Sequence, residues 1–295
     1  MDDKKKLRVR FNLFDALILL LALGALAGAL LLRNRSTGTG AERDTVPMRF
    51  TVEFLQAPPG MAKAVTVGDE VFRSTDSTYL GRVVEVRAQT HTEIEYSPAQ
   101  SAFVAYECAE SEDVYLTIEN RGYSTARDIM IGSVAVKYGE EMPVKGKGYA
   151  KMGYVVGIDT MGAAVTENTA ECRGELSVVY RVSLADARAF FAENVHVGDR
   201  FYDKLSGTLL GTVRTVGTEP YGETHLADDG TAQFALKPGR WRVIVELEGR
   251  CVEKNDGYYL DGGTELKIGA TLEAESQYIA RMIQYGEIVS IGTAA

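Results

Sequence analysis

The last two thirds of this 295-residue chain carry one pattern twice, about 130 residues apart. The first copy reads Thr66-Val67-Gly68-Asp69-Glu70-Val71-Phe72, then Thr78-Tyr79-Leu80-Gly81-Arg82-Val83-Val84-Glu85-Val86. The second reads His196-Val197-Gly198-Asp199-Arg200-Phe201-Tyr202, then Thr208-Leu209-Leu210-Gly211-Thr212-Val213-Arg214-Thr215-Val216, with the same spacing. Upstream, Phe50 and Val52 stand where Tyr180 and Val182 stand; downstream, Gly132, Lys137, Gly139 and Met152 fall opposite Gly262, Lys267, Gly269 and Met282. A recurrence of this length requires the fold to hold the same supersecondary unit twice. What repeats is strands and turns, and no set of reactive side chains repeats with them.

Each copy opens on an alternating stretch, Arg49–Phe54 or Ser177–Val182, which reads as a strand with one buried face. In the second copy Leu184–Asn194 is rich in Ala and Phe and predicts a short helix capped by Ser183. In the first, Pro58 and Pro59 delay any helix until after them. The Val-Gly-Asp motif and the Leu-Gly-x-Val motif then flank a polar turn, Ser74–Ser77 or Lys204–Gly207, and predict a β-hairpin. Gly68 and Gly198 are expected in a backbone conformation closed to other residues, with Asp69 and Asp199 accepting from turn amides. Gly81 and Gly211 interrupt strand patterns, where glycine marks a bulge or a close backbone approach. A less similar segment follows, Gln89–Asp113 or Gly217–Arg240, and strands resume at Val114–Glu119, Val134–Gly139 and Gly153–Ile158, or at Trp241–Glu246, Thr264–Gly269 and Gly286–Ile291. The expected fold is all-β with minor α: an N-terminal transmembrane helix, then two tandem, homologous small β-barrel or β-sandwich modules at 48–160 and 176–295, joined by a linker at 161–175.

Residues 16–32 hold no charge, and Leu13 and Phe14 extend the apolar run to a span that crosses a bilayer core of about 30 Å. Lys4, Lys5, Lys6, Arg8 and Arg10 precede it and only Arg33 and Arg35 follow closely, so the rule that positive flanks stay inside puts a tail of residues 1–12 in the cytoplasm, a helix at 13–33 in the membrane and residues 34–295 outside. The competing reading is a signal peptide cleaved near Ala25-Leu26-Ala27; the apolar run continuing through Leu32 favours an anchor. Gly24 and Gly28 have the spacing of a helix-packing pair, common in any alanine-rich membrane helix. Residues 34–47 read as a flexible tether with a reach of about 20 Å.

The whole chain has a net charge of -9, but its first 35 residues hold seven Lys and Arg against three Asp, which leaves 25 basic against 38 acidic residues in the rest. So acidic a portion repels phosphate backbones, which argues against nucleic acid as a partner. Cys108, Cys172 and Cys251 occupy no matching positions and imply no disulfide framework; Cys108 and Cys251 are expected in the core and Cys172 in the linker. His91, His196 and His225 share no metal-ligand spacing, and hydrolase and zinc motifs are missing from the sequence. No catalytic, cofactor or metal residue is assigned. Asp69 and Asp199 are the best chemical candidates because both copies have them, yet a tight turn already accounts for an Asp after Gly. Tyr138, Tyr149, Tyr154, Tyr258, Tyr259, Tyr278 and Tyr285 suit strand packing first and sugar stacking second.

The pattern Val67-Gly68-Asp69 through Val83, its repeat Val197-Gly198-Asp199 through Val213, and the late strand Gly153–Ile158 resemble a bacterial family known as domain of unknown function 4330. Arg73 stands where the family pattern prefers the Asp seen at Asp203, and Ser77 where it prefers the Gly seen at Gly207. The resemblance implies a basic N-terminus, one membrane helix and an extracytoplasmic region, and it supplies no functional residues. The expected role is therefore a non-enzymatic, membrane-anchored interaction or scaffolding protein of the cell envelope, such as an accessory to an assembly or export system. Its partner would be an envelope protein or a second copy of itself. The alternative is a module that binds cell-wall or capsular polysaccharide.

Overall fold

A computed structural model describes residues 45–125, 127–161, 174–227, 229–254, 257–260, 263–280 and 286–293. The tail, the apolar segment 13–33, nearly all of the tether, linker residues 162–173 with Cys172, and Gly262, Met282 and Tyr285 lie outside the described residues. Among those described, no helix is long and apolar enough to cross a membrane. Residues from Thr45 onward form one compact unit made almost entirely of strands.

The first half runs β1 (Val46–Ala57), α1 (Met61–Ala64), β2 (Glu70–Arg73), β3 (Tyr79–Ser97), β4 (Ala102–Ser124), β5 (Ile129–Ile131), β6 (Val134–Ala135), β7 (Glu141–Gly146) and β8 (Tyr149–Asp159). These strands pair in the order β1-β8-β7-β2-β3-β4-β5-β6, and β1 also pairs with β4, so the sheet closes on itself. Closure explains the alternation in β1: Met48, Phe50, Val52 and Phe54 all point inward and are buried, with Phe50 opposite Ile118 and Val52 opposite Leu116.

The second half runs β9 (Leu176–Arg188), α2 (Ala189–Asn194), β10 (Arg200–Asp203), β11 (Leu209–Leu226), β12 (Ala232–Lys254), β13 (Gly257–Leu260), β14 (Glu265–Leu266), β15 (Ala274–Glu275) and β16 (Gly286–Thr293). Here β9 lies between β12 and β16, burying Val178, Tyr180, Val182 and Leu184 in its own core. Several turn hydrogen bonds recur at equivalent places in the two halves. Gly68 N–H donates to Val83 O and Gly198 N–H to Val213 O; Gly139 N–H donates to Val155 O and Gly269 N–H to Ile288 O. Even the irregularities match: β1 and β9 each break register at a non-glycine residue of positive φ, Gln56 at 49° and Asp186 at 54°.

Three local expectations need correction. The segment from Leu184 is strand as far as Arg188, and the helix begins at Ala189 with no side-chain cap, because ladder pairs Ala187 to Trp241 and Arg188 to Arg240 outweigh helical composition. The late strands at Val134–Gly139 and Thr264–Gly269 shrink to two residues each. Cys251 is buried, but Cys108 is only half-buried, since it sits on an arm outside the core.

Those arms replace the two dissimilar segments. Beyond Thr90 on β3 and Pro220 on β11, each hairpin leaves the rest of its sheet as a two-stranded ribbon.

Candidate functional site

The repeated turns hold their residues by backbone geometry. Gly68 has φ of 99° and Gly198 of 96°, and Asp69 and Asp199 accept the amides of Thr66 and His196 at 2.9 and 2.8 Å. Gly81 lies at a bulge, with Leu80 unpaired opposite β2, and a Cβ there would stand 2.4 Å from Glu119 O. Gly211 lies at the matching bulge, where a Cβ would stand 2.8 Å from Glu248 O.

The turn aspartates share no site. Asp199 borders a cleft of about 450 Å³ with Asp159, Asn194, His196, Tyr138 and Tyr278, whereas Asp69 lies near Tyr149. Burial raises the Asp199 carboxyl above its ordinary range, against the His196 amide bond, which lowers it. Tyr278 is raised by burial and then by the Asp199 charge. Tyr149 is pushed up to about 12, mostly by burial. A second cleft, of about 510 Å³, shares Tyr138, Ile158 and Asp159 with the first and adds Arg49, Glu85 and Arg87. The second cleft is lined by first-half residues, and the first lies where the halves meet. There Tyr138 and Ile279 form a parallel bridge, and the Tyr138 hydroxyl bonds Ile158 O at 3.2 Å. Of the tyrosines singled out above, Tyr138 is buried, and Tyr149, Tyr154, Tyr258, Tyr259 and Tyr278 are half-buried.

Buried polar groups that the sequence did not reveal also gather at the junction. Glu53, on β1, accepts from Arg188 of β9 at 2.6 Å and from the Tyr115 hydroxyl at 2.8 Å. Burial, then the Glu53 charge, holds the Tyr115 phenol well above its ordinary range. Lys137, also buried, reaches Asp128 at 2.9 Å and Glu275 at 3.3 Å. His91 and Asp113 pair at 2.8 Å at the root of the first arm. Among the described residues no cluster of three metal-ligating side chains occurs. Charged groups of the two halves pair with each other here.

The arms are different in kind. In the first, Ile94, Tyr96, Phe103 and Ala105 share one face. Tyr96 stacks on His225 of the second arm at 4.0 Å, Phe103 meets the same ring edge-on at 5.1 Å, and Lys237 lies over Phe103 at 5.8 Å. His225, Glu223 and Lys237 occupy the inner face of the second arm. Its outer face presents Leu226, Phe234 and Leu236 to solvent. The alternation of large Phe234 and Leu236 with Gln233, Ala235 and Lys237 carried a strand signal, but not which face would be covered.

A family model described as Domain of unknown function (DUF4330) matches residues 1–159, more than half of the chain. The chain belongs to this family. The DUF4330 match covers the N-terminal segment and the first half of the β unit, and the second half lies outside the matched residues. No curated protein and no solved structure matches the chain. The DUF4330 description assigns no activity, so function rests on the geometry.

Proposed function

We propose that this chain is a non-enzymatic interaction or scaffolding protein of the bacterial cell envelope, anchored by one membrane helix at 13–33 with its β unit outside the cytoplasm. The unit is read as one duplicated β-barrel module used twice in tandem. The observation that carries the reading is the outer face of the second arm, where Leu226, Phe234 and Leu236 stand together in solvent on a projecting ribbon. Isolated exposed apolar residues are ordinary, but an aligned row on a protruding element marks a contact surface. The basic flank and uncharged run of the N-terminal segment supply the anchor that such a protein needs to stay beside membrane machinery.

The test is capture of the full chain from native membranes in mild detergent, alongside a Phe234→Glu variant. Envelope proteins or further copies of the chain that are retained by the parent and lost with the variant are the expected result. Equal recovery with both would overturn the reading. A second reading, polysaccharide binding, draws on the junction cleft, where Tyr138 and Tyr278 lie beside Asp159, Asn194 and Asp199. Aromatic rings beside carboxylates suit sugar hydroxyls. Saccharide that co-purifies with the chain and is lost on Tyr278→Ala would move the assignment there.

A further inference from the structure

The contact between the two arms joins unlike faces, and it leaves one copy of each face unused. Gln56 and Asp186 fix the correspondence. They occupy the same bulge in β1 and β9, Gln56 bonds Glu93 at 3.1 Å, and Asp186 bonds Lys237, which also reaches Glu223. The Glu93 face of the first arm therefore corresponds to the inner, Glu223 face of the second. By the same register, the Tyr96 face of the first arm corresponds to the outer face of the second, with Leu226 in the place of Tyr96.

Inside the molecule, then, the Tyr96 face of module one is covered by the inner face of module two. Among the described residues nothing covers the equivalent outer face of module two: Leu226 is 71% exposed, Phe234 64% and Leu236 56%. At the opposite end, the first arm's own Glu93 face is also open, with Glu95 and Tyr106 exposed and Val104 half-buried. A second pair of positions repeats the asymmetry. Tyr138, covered by module two, is 9% exposed, and its counterpart Ile268 is 67% exposed. A contact between unlike faces that does not close on itself has open ends that fit further copies.

We propose that these ends meet, so that the outer face of the second arm of one molecule docks on the Glu93 face of the first arm of another copy of this chain, extending the internal contact head to tail. The occupant is argued from continuity: the same kind of face already carries the same kind of face within each molecule. The register gives the expected contact. Tyr96 against His225 inside the molecule becomes Leu226 against Glu95 between molecules, with Phe234 close to Val104 and Tyr106. Glu95 is a poor feature of the copy, since it sets a carboxylate against the apolar Leu226 where His225 meets Tyr96 inside the molecule. Glu95→His, which restores the internal residue, is expected to tighten association on the order of tenfold.

This proposal rests on the interaction reading above, but it fails separately from it. The experiment is sedimentation velocity on the full chain in mild detergent over a concentration series. The parent is expected to form a growing ladder of species. Phe234→Glu, blocked at one end, and Tyr106→Asp, blocked at the other, are each expected to remain at the smallest species. Mixed in equal amounts they are expected to give the next species and nothing larger, because one competent end survives on each. Both sites are exposed, and circular dichroism with thermal melting verifies that the variants fold. A parent that stays at the smallest species overturns the proposal, as does a mixture that fails to associate. Tyr106→Asp that associates as the parent does also overturns it, and points to a two-fold dimer through the outer faces. If self-association fails while another envelope protein is still lost with Phe234→Glu, the interaction reading stands without this one.

Discussion

Gly81 and Gly68 separate two reasons for glycine. At Gly68 a Cβ meets open space, so alanine there suffers only from the positive φ, and about 1 kcal/mol of destabilisation is expected. At Gly81 the Cβ also collides with Glu119 O and Ile118, so Gly81→Ala is expected to cost about 3 kcal/mol. Urea denaturation of the two variants checks the order, and equal losses would contradict it. Asp199 gives a test by pH. Burial raises its carboxyl, so folding favours the protonated form; that contribution is present below the ordinary carboxylate range and is lost as pH climbs through the raised value. Asp199→Asn keeps an oxygen to accept the His196 amide and removes the charge. The variant is expected to gain stability relative to the parent as pH rises through the acid range, measured by denaturation at each pH; a flat difference would contradict the assignment. At this scale the sequence was readable where a residue obeys local rules, as Asp69 and Asp199 do beside their glycines. It was unreadable where the partner is remote: Glu53 finds Arg188 across 135 residues, and nothing local marks either.

That pair joins β1 to β9, so it belongs to the elements. Glu53 is buried, and Arg188 is its only cationic partner among the described ion pairs. Arg188→Ala leaves a buried carboxylate with the Tyr115 hydroxyl alone, and about 3 kcal/mol of destabilisation is expected. Adding Glu53→Gln is expected to recover part of that loss, measured by chemical denaturation of the single and double variants. Losses that simply add would show that the pair is not coupled. Hairpins and paired strands were legible because turn chemistry and alternation are local properties. The helix start was misplaced because Leu184–Arg188 has helical composition but is held on both flanks by β12 and, at Leu184, by β16. The arms were read as dissimilar segments because their exposed ribbons need not share a core-facing pattern, so copy-to-copy likeness fades there.

For the whole molecule, two eight-stranded sheets meet through paired charged groups and through arms that stack face to back. The strand-rich character was legible in advance, because alternation and turn chemistry are written locally along the chain. The junction was not visible, because Lys137 and Lys267 are the same residue type and nothing local marks that the first is buried and the second exposed. The proposed working surface is the outer face of the second arm, and site-specific photocrosslinking tests it most directly. A photoreactive phenylalanine analogue would replace Phe234 in the full chain in intact cells, with the same analogue at Val252, also exposed on β12, as the comparison. A defined light-dependent adduct to another copy or to an envelope protein is expected from position 234, and none from position 252. Absence of any adduct at 234 beyond the level at 252 would contradict the proposal.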